Sequence, residues 1–183
     1  MHQPEAPSKG VDAATRVATA LRRSLRIAPR AGLKSQQKGN NVAPQTWLFV
    51  GGILAALAVA AGAFGAHGLE SRLDPAKASS PEEAARRTRQ LENFKTAAQY
   101  QLTSAIGIVL AGFAAFARNP ANRSIWPTAA AIALVIGIIL FSGGLYAWVL
   151  TERKAFVAIV PIGGTSIIIG WTLLAVAGLK LTT

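Results

Sequence analysis

No cysteine occurs among the 183 residues, histidine occurs twice and methionine once. Without thiols, the chain cannot use disulfides, thiolate nucleophiles, iron–sulfur clusters or cysteine-based zinc sites. Two histidines, with His2 near the N terminus, cannot build a histidine-rich metal site within one chain. Charge is scarce too. Only 15% of residues are Asp, Glu, Lys or Arg, against about 25% in an ordinary soluble domain. The charge present is one-sided: 19 Lys and Arg oppose eight Asp and Glu, for a net charge of +11. Eight acids are few for carboxylate chemistry, so neither an enzyme activity nor a cofactor is expected.

A pI near 11.2 would suggest nucleic acid if the charges were spread. Their positions point elsewhere. No charged residue lies in 39–69, 96–117, 124–151 or 155–179. Within these stretches, apolar runs at 47–66, 96–116, 128–150 and 155–179 match the roughly 20 residues that a helix needs to cross a bilayer core. Backbone groups in lipid must be satisfied internally, so the spans are predicted to be helices. A soluble bundle would need a polar outer face on each helix. ILAALAVAAGAF and AIALVIGIIL offer none. The expected fold is all-α: an integral membrane four-helix bundle over 46–183, preceded by a basic tail, 1–45, that is partly disordered or amphipathic. Lipid is the expected partner, and nucleic acid is not.

Small residues at four-residue spacing let membrane helices approach closely. Gly52, Ala56 and Ala60 form one such row, and Ala58, Gly62 and Ala66 another. Thr103, Gly107, Ala111 and Ala115 form a third, and Ala129, Ala133 and Gly137 a fourth. Together they predict a compact bundle.

The tail holds eight basic residues and two acids. Val17, Leu21 and Leu25 recur every four residues, which suits a basic amphipathic helix on anionic headgroups. A solvated tail and an Arg-rich transit peptide are the other readings. In the first loop, Ser80, Pro81 and Glu83 have the order of an N-cap, a first-turn proline and a capping box. Nothing breaks the helix beyond them, so it is predicted to run from Pro81 into the second span. Its exposed turns serve either as a solvated extension or as a surface for partners and headgroups. The tail, the second loop and Lys180 carry eleven basic residues against eight on the opposite side. Counting only the last 20 tail residues reverses this, six against eight. The positive-inside rule thus leans towards cytoplasmic termini. A bacterial inner membrane is the expected location, with a mitochondrial or other organelle membrane as the alternative.

Four segments depart from plain lipid-soluble sequence: GAFGAHGL (62–69), FKTAAQYQ (94–101), LFSGGLY (140–146) and PIGGTSIIIGW (161–171). In order and spacing they resemble the DUF423 family of small membrane proteins, which includes UPF0382 and transmembrane protein 256-like proteins. The resemblance covers about 46–180 and implies membrane helices without an assigned activity. The family often carries a histidine three residues after the Gln of its YQ pair. This chain has Ser104 there, so no role of that histidine transfers.

In an antiparallel bundle, all four segments fall in the half of the bilayer beside the first and third loops. They carry a candidate polar cluster of His67, Gln99, Tyr100, Gln101, Ser142, Tyr146, Thr165 and Ser166. His67 is the titratable group near a span with a reference pKa near neutrality. It is either a proton or ligand contact or a cap on the glycine-rich helix end. Gln99, Ser142 and Tyr146 also suit hydrogen bonds between helices. Pro161, followed by Gly163 and Gly164, predicts a helix break that frees backbone carbonyls, read first as a tolerated kink near the helix end and otherwise as an ion-binding turn. The first expectation is a non-enzymatic structural or assembly component, with a membrane-protein partner or a second copy of itself. The alternative is a small transporter or channel using the cluster around His67.

Overall fold

The computed structural model describes residues 43–117 and 124–180. The readings of the tail before residue 43, and of Arg118 and Arg123, lie outside these residues. Four long helical rods account for the rest. Helix α1, Pro44–Phe64, continues through a π turn at Gly65–Leu69 and one further α turn, Glu70–Arg72. Helix α2 runs unbroken from Pro81 to Phe116. Helix α3, Trp126–Thr151, contains a π turn at Ile138–Ser142. Helix α4 spans Lys154–Leu179. All four are long and apolar enough to cross a membrane.

The start of α2 follows from its sequence. Ser80 adopts an extended backbone and its hydroxyl accepts from the Glu83 N–H at 3.2 Å. Glu83 reaches back to accept from the Ser79 N–H at 2.8 Å, one residue beyond the usual capping-box partner, Ser80. Its other oxygen accepts from Arg87 at 2.7 Å, one helical turn on. Beyond this cap no proline interrupts 36 residues, so the helix emerges from the bilayer by several turns.

The rods pack as two hairpins. Helix α1 lies along α2, α4 lies along α3, and α2 joins the pairs by packing on α3. Helices α1 and α4 are peripheral. Their most apolar stretches are 17% buried, against 44% for α2 and α3.

Close approach depends on glycine at a few positions. A Cβ at Gly51 would meet the Ala105 carbonyl at 2.9 Å, and one at Gly137 would meet Ile167 at 2.5 Å. A Cβ at Gly163 would run into the backbone of α3, at Phe141 N and at Leu140 C 2.7 Å away. The rows predicted on α1 are corrected. Its inner face reads Trp47, Gly51, Leu54, Ala58, Ala61 and Gly65, alternating four and three residues apart. Gly52, Ala56 and Ala60 face outward. Of the second row, Ala58 alone is buried and Ala66 is exposed, so neither predicted row is the inner face. On α2, Gly107 and Ala111 are buried as predicted, whereas Thr103 is exposed and bonds back to Gln99 O at 2.8 Å.

The predicted break at Pro161 is also corrected. Helix α4 continues through Pro161, Gly163 and Gly164. Proline removes one N–H, but the flanking turns persist, and Pro161 O accepts from the Thr165 hydroxyl at 3.0 Å. The glycines give contact with α3 instead of an opening.

Candidate functional site

The irregular backbone lies in α1 and α3, at the two π turns. A π turn admits one extra residue and shifts the inward face by one position. In α3 the buried positions run Leu134, Ile138, Ser142, Leu145 and Val149, so two successive steps of four straddle the turn. Gly143 N bonds Ile138 O, five residues back. The shift turns Ser142 fully inward and brings Phe141 onto Tyr100, with ring centroids 4.9 Å apart. In α1 the turn at Gly65–Leu69 keeps Gly65 and Leu69 inward, and Gly65 lies against the Phe94 ring. The first π turn falls within GAFGAHGL, and the second overlaps the start of LFSGGLY. Sequence reasoning singled out these segments but missed their backbone. The spacing of four and four between core positions shows the turns only once the buried positions are known.

The eight candidate residues divide by face. Gln101 is buried on α2 and donates to Leu54 O of α1 at 3.0 Å. Ser166 on α4 donates to Ala133 O of α3 at 2.8 Å. Ser142 is fully buried, and its hydroxyl has no partner. Tyr146 stacks on Phe94 with centroids 4.8 Å apart, and its buried hydroxyl is likewise unpartnered. The other four face outward. His67, Gln99 and Thr165 are exposed, and Tyr100 is 46% exposed. The structure therefore brings Ser142 and Tyr146 together and leaves His67 apart from them.

Three residues that sequence reasoning passed over complete the picture. Glu152, in the turn between α3 and α4, adopts φ 57, the left-handed region that favours glycine. Its Oε1 accepts from Arg86 Nη1 and, at 3.1 Å, from Gln90 Nε2. Arg86 and Gln90 both belong to α2, so this knot ties its emergent part to the α3–α4 hairpin. Gln90 is 1% exposed, and its Oε1 has no partner. Ser104 is fully buried on α2, with an unpartnered hydroxyl. Among the described residues, no group of three or more His, Cys, Asp or Glu could hold a metal.

A family model described as "Protein of unknown function (DUF423)" matches residues 61–164, which include both π turns and Gly163. The chain is 34% identical over 136 residues to the UPF0382 membrane protein YwdK of Bacillus subtilis, covering 74% of this chain and 98% of that one. It is 37% identical over 125 residues to a UPF0382 membrane protein of Haemophilus influenzae, covering 67% and 84%. To the UPF0382 inner membrane protein YgdD of Escherichia coli it is 29% identical over 123 residues, covering 67% and 81%. No solved structure matches.

Proposed function

This chain belongs to the DUF423 family of membrane proteins, and from that premise we propose that it acts as a non-enzymatic structural or assembly component of its membrane. The observation that carries this reading is how polar side chains within the spans are used. Gln101 and Ser166 each close on a backbone carbonyl of a neighbouring helix. Thr103, Thr165 and Thr172 close on their own helices. Such bonds hold helices in register. The peripheral faces of α1 and α4 remain available to a membrane-protein partner or a second copy, and the basic tail to anionic headgroups. The bacterial relatives favour a cell membrane, the inner membrane by likeness to the Escherichia coli protein. Both termini are placed in the cytoplasm on the balance of basic residues.

The unpartnered hydroxyls of Ser142 and Tyr146 favour a second reading, a small transporter or channel. Reconstitution in liposomes separates the two. The assembly reading expects no ion or proton flux above protein-free vesicles. A flux that Ser142→Ala abolishes would overturn it.

A further inference from the structure

Four buried polar atoms without partners lie on one seam. Gln90 Oε1, the Tyr146 hydroxyl, Ser142 Oγ and Ser104 Oγ all belong to α2 or α3. Gln90, itself 1% exposed, opens the row directly beneath Glu152. Its nitrogen bonds Glu152, whose side chain is 55% exposed, while its oxygen is buried and unpaired. Phe94, one turn deeper on α2, carries the Tyr146 ring. Ser142 lies one turn from Tyr146 on α3, on the same face. Ser104 lies deeper still on α2, between Tyr100, which stacks on Phe141, and Gly107, where a Cβ would meet Leu134 at 2.8 Å. That face of α2 therefore meets α3. Tyr146 and Ser142 are roughly 6 Å apart along the α3 axis. Beyond Ser104 the interior is lined by Ile108, Leu134, Ile138 and Ile167, each at most 6% exposed, and by Trp47 of α1, whose buried indole N–H is also unpartnered but does not belong to the α2–α3 seam.

Buried polar groups are normally satisfied, and a set left open together marks a place for bound water. We propose that the α2–α3 seam is a one-sided hydrated site. It admits water from the side of the first and third loops, past Glu152 and Gln90, as deep as Ser104. Each bound water finds hydroxyl and amide oxygens along its path, and the apolar cluster beyond Ser104 closes the far half. The donor set is neutral, so the site suits water and other small uncharged hydrogen-bonding molecules, not ions.

The absence of native cysteine makes the test direct. Ser142→Cys, Ser104→Cys and the control Ala131→Cys, which lies in the apolar cluster at 0% exposure, are each reconstituted in liposomes. Aminoethyl methanethiosulfonate is added on one side, with a thiol scavenger on the other. Only a thiolate reacts, and a dry site disfavours it by at least about tenfold for each unit of raised pKa. The expected result is that Ser142→Cys and Ser104→Cys react at least about tenfold faster than Ala131→Cys, from the loop-one side alone. Rates equal to that of Ala131→Cys, or equal from both sides, overturn the proposal. Ser142→Ala provides a readout independent of the thiols. A hydrated hydroxyl is lost together with its bonds, so the melting temperature falls. A melting temperature equal to or above that of the wild type marks a dry, unpaired hydroxyl and overturns the proposal.

Discussion

At the scale of single residues, glycine and carbonyl-seeking polar side chains shape the molecule. Gly163 sits where the backbones of α3 and α4 nearly touch, and even a methyl group there strikes Leu140 C and Phe141 N. Gly163→Ala is expected to destabilise the protein by about 1–3 kcal/mol through overpacking, read as a lower unfolding midpoint in detergent. Gly52→Ala is the matched control. Nothing lies within 4 Å of the added carbon, and the midpoint should not fall. Gln101→Leu removes the tie to Leu54 O and should cost roughly 0.6 kcal/mol, the typical worth of such a bond in a membrane protein. A loss above that of Gly163→Ala would contradict this ranking. Which polar residues sit within spans was legible from sequence, because charge-free stretches delimit the spans. Which way each one faces was not. Gln99 and Gln101 differ by two positions and point to opposite environments, since two residues on a helix are about half a turn apart.

At the scale of elements, the cap of α2 was readable to the residue. Ser80 caps and Pro81 opens the helix as their order implies, while Glu83 closes on the Ser79 N–H in place of that of Ser80. The Glu83 carboxyl is held below its ordinary value, first by the Ser79 N–H and then by Arg87. A depressed folded-state pKa stabilises fully above the unfolded value of about 4.3 and is lost as pH falls through the folded one. Acidification below about pH 4 should therefore fray the first turns of α2. Hydrogen exchange at the amides of residues 82–84 would reveal this. Faster exchange there than at Ala97–Ala105 is expected, and a uniform change would contradict it. Ser80→Ala should accelerate the same amides at neutral pH, at a cost of about 1 kcal/mol. The π turns were not legible. Each is a one-residue shift between two regular helical stretches, and composition is silent about it because Ile138–Ser142 and its flanks are all sound membrane-helix sequence. Only the inward positions on both sides, once known, show that an extra residue lies between them.

At the scale of the whole molecule, four helices long and apolar enough to cross a membrane followed from charge placement and length alone. The arrangement did not. Two hairpins joined through α2 and α3, with α1 and α4 at the periphery, depend on which small-residue faces meet, and neither row predicted on α1 is its inner face. The peripheral faces are the physical basis for an assembly role, because lipid supplies no hydrophobic drive and close packing of helices must do so. The scarcity of acids and the excess of basic residues noted at the outset now have a location. Among the described residues, the charged side chains lie at the ends of the rods, and Lys180 rests over the Trp126 ring at 5.1 Å. The most direct test of the assembly reading is the mass of the particle that contains this chain when native membranes are extracted into lipid nanodiscs by a copolymer, without detergent. The account predicts a particle heavier than one 19.1 kDa chain with its lipids, containing further protein in fixed ratio. A lone copy in every preparation would contradict it.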